Sequence, residues 1–186
     1  MVGLKSKVFL LALVPLIMAT SIITFLSLQS ARELAEEELS IYEFNLVNAK
    51  KEALISHVDI ALSAIQQVLD DENLTDLQAQ QQVKQILTNL RYSDDGYFFA
   101  YEMSGVNLVH PTIPGFVGQD LWSFQDSTGN HLIQGLISIA QAGGGYYRYI
   151  WEKPPLMTQE EKISYVVSID RWNWMMGTGL YLDDVY

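Results

Sequence analysis

The sequence has 186 residues, enough for one domain and an attachment, and its 49% hydrophobic and 11% aromatic content supports a buried core and excludes a disordered polar chain. Eleven Lys and Arg against 22 Asp and Glu leave a net charge of −11, which argues against a protein that tracks nucleic-acid phosphates. No Cys is present, which excludes disulfide frameworks and thiolate sites, and His57, His110 and His131 lack the close spacing of a His-based metal site.

From Val8 to Leu28 the chain carries no charge. Twenty-one residues of helix reach roughly 30 Å, the thickness of a bilayer's hydrocarbon core. The stretch shows only scattered Ser and Thr in place of a polar stripe, and Pro15 is tolerable in lipid. Lys5 and Lys7 precede it, while Glu33, Glu36, Glu37 and Glu38 follow. The positive-inside rule therefore places residues 1–7 in the cytoplasm, a membrane helix at 8–28 and residues 29–186 outside. A cleaved signal peptide is the competing reading, but this apolar core is longer than usual and Ser-Leu-Gln is a poor cleavage site.

Residues 30 to about 70 contain no Gly or Pro. Val47, Leu54, Val58, Leu62, Ile65 and Leu69 form an amphipathic helical stripe, and Leu39, Tyr42, Leu46 and Ala49 an offset second one. Two stripes suggest two partners, the domain's own core and a second subunit; a long helix packed only on its own domain is the alternative. Asp70-Asp71-Glu72-Asn73 ends this helix. Thr75 is an N-cap for a second one through Arg91, with Leu77, Val83, Ile86, Leu87 and Leu90 inward and the Gln-rich run at 78–82 solvated.

From Ser93 the texture changes to strands and turns. Gly96–Met103 and Asn107–His110 read as a hairpin about Ser104-Gly105. Pro111, Pro114, Gly115 and Gly118 then mark a long irregular loop, whose Phe116, Val117, Leu121, Trp122 and Phe124 argue for order. A turn at 126–129 leads to a short helix through Gln141, with Leu132, Leu136 and Ile139 on one face. Three further strands follow, Tyr146–Glu152, Lys162–Asp170 and Met175–Leu182, with a turn at Lys153-Pro154-Pro155. The fold class is α+β, an antiparallel sheet backed by helices.

No nucleophile elbow, phosphate-binding glycine loop or paired helical His is present, so nothing calls for an enzyme or a cofactor. Residues 92–186 hold 11 acids but only four bases, Arg148, Lys153, Lys162 and Arg171. An anionic ligand entering this half must meet one of these, His110, His131, or backbone and hydroxyl donors. Strand alternation places Tyr147, Tyr149, Trp151 and Lys153 on one face, which fits a pocket wall that closes on a small carboxylate. Half-buried sheet aromatics with Lys153 snorkelling at the strand end is the competing reading. Arg148 is expected to pair with Glu152. In the next strand Ile163, Tyr165, Val167 and Ile169 share a face, which offers Tyr165 to the pocket or to plain sheet packing. His110 stands at the mouth of the aromatic loop.

The ordered set Asp95-Gly96-Tyr97-Phe98-Phe99, Gly105 with Val109-His110-Pro111, Gly118 with Asp120, Asp126 and Gly129, Gly145-Tyr146 with Tyr149-x-Trp151-x-Lys153-Pro154, Lys162 with Tyr165, and Gly177-Thr178-Gly179-Leu180-Tyr181 resembles the extracytoplasmic single Cache sensor domain, second subtype, of bacterial chemoreceptors and histidine kinases. The resemblance implies a PAS-like antiparallel sheet backed by a long N-terminal helix that pairs with its twin in a homodimer. It implies recognition of small organic acids such as acetate, propionate, pyruvate or lactate, in a pocket between sheet and long loop. That favours His110, Tyr149, Trp151, Lys153 and Tyr165 as contacts, with Tyr97, Phe116 and Trp122 as lining; Tyr147 joins the candidates from its place on the aromatic strand face, and no metal is expected. Receptors of this kind continue into a second membrane helix and a cytoplasmic signalling module, whereas this sequence stops at Tyr186; its output (chemotaxis, kinase or cyclic-nucleotide synthesis) is not legible. A periplasmic protein-interaction module and an anchored hydrolase using unrecognised carboxylates are the two other classes kept open.

Overall fold

The computed structural model describes residues 4–93 and 95–184, with side chains from residue 13 onward. Residues 1–3 of the expected cytoplasmic segment, the side chains of Lys5 and Lys7, and residues 185–186 lie outside the description. Helix α1 runs from Leu4 to Leu69 and contains Pro15, so the expected crossing and the expected long helix are one element. Two compact units are distinguished, Met1–Asn45 and Leu46–Tyr186. In the first, large apolar side chains between Val14 and Leu28 are exposed, and α1 is long and apolar enough to cross a membrane. Leu39 and Tyr42 of the expected second stripe are exposed as well.

In the second unit α1 buries Leu54, Val58, Ala61 and Ile65, a stripe at steps of four, three and four. Helix α2 (Asp76–Asn89) opens on a capping box: the Gln78 N–H donates to Thr75 Oγ1 and the Thr75 N–H donates back to Gln78 Oε1. The first Gln of the run thus closes the helix end rather than merely facing solvent. The buried stripe is Ala79, Val83 and Leu87. Leu77, expected inward, is 66% exposed, because it stands about 200° around the helix from Ala79.

The sheet has six strands, β1 (Arg91–Tyr92), β2 (Gly96–Glu102), β3 (Asn107–Val109), β4 (Gly145–Lys153), β5 (Thr158–Ile169) and β6 (Trp174–Tyr181). Their order is β1-β2-β6-β5-β4, with β3 also on β2, and every pairing is antiparallel. β5 begins four residues before the expected Lys162, so β4 pairs with β5 along the whole of β4, with Lys153 opposite Thr158 and Tyr149 opposite Lys162. Arg148 pairs across this hairpin with Glu161 rather than with Glu152 of its own strand.

Both faces of the sheet are covered. On one, Phe98, Ala100, Val109, Ile169, Trp174 and Met176 meet Ala61 and Ile65 of α1 and Val83 and Leu87 of α2. On the other, Tyr97, Phe99, Tyr101, Tyr149, Trp151, Val166, Met175 and Tyr181 meet helix α3 (Leu132–Gln141) and the long loop. α3 presents Leu132, Ile133, Leu136, Ile137 and Ala140, and Ile139 is only half-buried. The fold is the expected PAS-like antiparallel sheet backed by a long N-terminal helix.

Candidate ligand-binding site

The long loop is held to the sheet by backbone and one carboxylate. Asn107 exchanges hydrogen bonds with it, its N–H donating to Gln119 O and its carbonyl accepting from the Gly118 N–H. Asp126 accepts from the Thr128 and Asn130 N–H groups at 2.9 Å and from the Ile150 N–H of the β4 edge at 3.3 Å. Burial alone would raise this carboxyl, but those donors hold it down to about 2. The loop therefore lies against β4 and arches over the aromatic face.

Beneath it is a small cavity of about 10 Å3, lined by Tyr97, Phe99, Tyr101, His110, Leu132, Leu136, Tyr149 and Trp151. Space of this size holds about one water molecule. Alternation on each strand explains the lining. Tyr97, Phe99 and Tyr101 are every second residue of β2, and Tyr149 and Trp151 are every second residue of β4.

Lys162 enters this face from β5. It is 1% exposed, and its ammonium donates to Tyr97 Oη at 2.7 Å. Nζ also lies 4.3 Å from the Tyr97 ring centre, 4.9 Å from Tyr181 and 5.9 Å from Phe99, a cation enclosed by aromatic faces. Among the described residues no carboxylate pairs with it. Its path across the sheet needs a residue without Cβ, since one at Gly179 would stand 2.8 Å from Lys162 Cε and 2.3 Å from Ser164 Oγ.

The neighbouring polar groups are tuned by the same burial and the same cation. His110 Nδ1 accepts from the Ile113 N–H at 3.2 Å, which puts the ring proton on Nε2. Burial, then the charge of Lys162, push the His110 pKa down to about 3, so the ring is neutral and a donor. Burial pushes the Tyr97 phenol up, but the ammonium beside it outweighs this and holds it below the ordinary tyrosine range. Tyr149, whose Oη lies 2.9 Å from Ser164 Oγ, is raised well above that range by burial.

Of the residues named from sequence, His110, Tyr97, Tyr149 and Trp151 meet at this cavity. Phe116 seals it, its ring centre 5.8 Å from His110 and 6.1 Å from Trp151. Tyr147 sits one layer out, against Gly135 of α3, where a Cβ would stand 2.2 Å from the ring. Trp122 is 42% exposed, and Leu121 turns inward in its place. Tyr165 lies on the opposite face, its ring 5.0 Å from Tyr146 and packed near Leu54. Lys153 is turned away to Asp183 and Asp184 beyond the end of β6. Phe99, Tyr101, Ser164 and Tyr181 were not among the expected contacts or lining, and Lys162 was named only as one of the four bases an anion could meet. The sequence signal for Lys162 is its place two residues before Ser164 and four before Val166, which puts it on the face opposite Ile163 and Tyr165.

The pattern of the Single Cache domain 2 family matches residues 46–186, and the chain belongs to that family of sensor domains. It is 41% identical over 98% of its length to the sensor histidine kinase MctS of Rhizobium johnstonii and spans 40% of that protein. Among solved structures it resembles a methyl-accepting chemotaxis protein of Vibrio parahaemolyticus, with a TM-score of 0.74 and 34% identity over 80% of this chain and 99% of that one. It also resembles a Cache chemosensory domain described for carboxylic acid recognition, with a TM-score of 0.68 and 31% identity over 74% of this chain and 96% of that one.

Proposed function

We propose that residues 29–186 form the extracytoplasmic sensing region of a bacterial inner-membrane receptor, anchored by residues 8–28, and that it binds a carboxylate of two or three carbons such as acetate, propionate, pyruvate or lactate. The observation that carries this reading is the buried Lys162 ammonium, which has no carboxylate partner among the described residues. Burying a cation is unfavourable unless it is paired, and a ligand carboxylate supplies the missing charge. Tyr97, Tyr149 and the Nε2–H of His110 are the donors around it, and the aromatic walls exclude longer or more polar acids. The solved Cache domain described for carboxylic acid recognition supports the ligand class.

The cavity is smaller than acetate, so binding selects an arrangement in which the loop-side rings have parted. A ligand that favours one of two arrangements shifts their populations, and the sheet passes that shift to α1. Two copies pair along α1, where Leu39 and Tyr42 are exposed; sedimentation of the micelle-embedded chain checks this, and a purely monomeric species overturns it. For the output, a chemotaxis receptor is the first reading. A sensor histidine kinase is the second, favoured by the 41% identity to MctS.

Calorimetric titration of the full chain in detergent micelles tests the ligand class. Saturable binding of at least one of the four acids is expected, with none for ethylamine. At 100 times Kd the ligand adds about 2.7 kcal/mol of stability. Absence of heat and of stabilisation with all four acids overturns the reading.

A further inference from the structure

A larger cavity, of about 440 Å3, lies between α1 and the ends of β2 and β6. That volume is within the roughly 300–1,000 Å3 of small-molecule sites. One wall is α1, where Lys50 and His57 stand seven residues apart on one helical face. The facing wall carries Asp95, in the turn between β1 and β2, and Asp184, in the turn after β6. Tyr97 and Tyr181, which also enclose Lys162, complete it.

The charges are arranged as opposite poles that do not meet. Lys50 forms no ion pair with either acid, and Asp184 is engaged by Lys153, which leaves Asp95 as the available carboxylate among the described lining residues. The His57 ring is fixed by stacking on Tyr92 with centres 3.9 Å apart. An acid without an amine would meet Lys50 but be repelled by Asp95, and an amine without an acid would meet Asp95 but be repelled by Lys50. A molecule carrying both charges satisfies both poles at once.

We infer that this cavity is a second ligand site, for a zwitterionic α-amino acid whose carboxylate meets Lys50 and His57 and whose ammonium meets Asp95. The inference goes beyond the carboxylate reading and does not depend on it, since neither Lys50 nor Asp95 lines the cavity beneath the loop and Lys162 does not line this one.

The test is calorimetric titration of the full chain in detergent micelles with L-alanine, L-leucine and L-phenylalanine. For leucine and phenylalanine, the decarboxylated and deaminated analogues (isopentylamine, 4-methylpentanoate, 2-phenylethylamine and 3-phenylpropionate) are run alongside. At least one amino acid is expected to bind, with any available analogue at least tenfold weaker. Lys50→Met and Asp95→Asn, both at exposed positions, are each expected to weaken it at least tenfold, and Lys162→Met to leave it unchanged. No binding of any of the three, an analogue as tight as its amino acid, binding kept within threefold in either rim variant, or binding lost in Lys162→Met overturns the inference.

Discussion

The two faces of one sheet are built to different rules. The face toward α1 and α2 is closed by Ala61, Ile65, Val83, Leu87, Phe98, Ala100 and Met176, all apolar and all buried. The face toward α3 and the loop buries Lys162, His110 and Ser164 among its rings. Alternate residues of the same strands thus serve packing on one side and leave polar donors under the loop on the other. The teaching is about cost: an apolar face gains stability from every side chain, whereas burying the Lys162 cation is unfavourable and has to be offset by the Tyr97 hydroxyl and the surrounding ring faces.

The sharpest way to break the comparison is to change one residue on each face. Lys162→Met keeps length and volume but removes the cation. Carboxylate affinity is expected to fall by two orders of magnitude or more in calorimetry, while the urea midpoint stays or rises, since apolar replacement of a buried charge is often neutral or stabilising. Ile65→Ala is expected to do the opposite, with a loss of about 2–5 kcal/mol and affinity within twofold. If Lys162→Met unfolds the chain while Ile65→Ala is silent, the assignment of the two faces is reversed.

The same contrast explains what was legible in the sequence. The helical stripe of Leu54, Val58 and Ile65, the Thr75 cap, the hairpin about Ser104-Gly105 and the α+β class all follow from local spacing, and each is present. Leu77 went astray because the cap, not the first apolar residue, sets the helix phase. Part of the site is local too, since alternation alone puts Tyr147, Tyr149 and Trp151 on one face. The choice between Lys153 and Lys162 is not local. It turns on hairpin register, and the four residues 154–157 that separate Lys153 from Thr158 fix Tyr149 opposite Lys162. Moving the start of β5 to Lys162, as the apolar pattern suggested, hides that pairing. The inward turn of Leu121 in place of Trp122 is likewise non-local. It rests on loop contacts such as the Gln134 side-chain amide donating to Trp122 O, which no periodicity encodes.

A smaller effect comes from pH. The unfolded chain takes up a proton on His110 near its ordinary value of 6.5, whereas the folded chain does so only near 3. Folding stability contributed by the neutral ring is therefore full above 6.5 and is lost as pH falls from there toward 3. The slope approaches about 1.4 kcal/mol per pH unit once the unfolded His110 is protonated. His57, lowered by burial, acts in the same direction, and Asp126 enters only below about pH 4. Urea melts at pH 7, 6 and 5 are expected to show falling stability, with His110→Gln removing most of the slope and leaving the share of His57. A slope unchanged by that substitution would show that His110 is already charged in the fold.

The smallest expected effect is at Lys153. Its ammonium donates to Asp183 at 2.8 Å and also to Asp184, at a partly exposed strand end. Burial lowers its pKa, but the two carboxylates together raise it by more, so the net shift is upward. Exposed pairs of this kind contribute about 0–1 kcal/mol. Lys153→Ala is therefore expected to move the urea midpoint little and to leave carboxylate affinity within twofold, against the hundredfold loss in Lys162→Met. The pair of variants decides which lysine meets the ligand. Loss of binding in Lys153→Ala with binding kept in Lys162→Met would move the site from beneath the loop to the open end of β4, where the cation is already neutralised by two acids of its own chain.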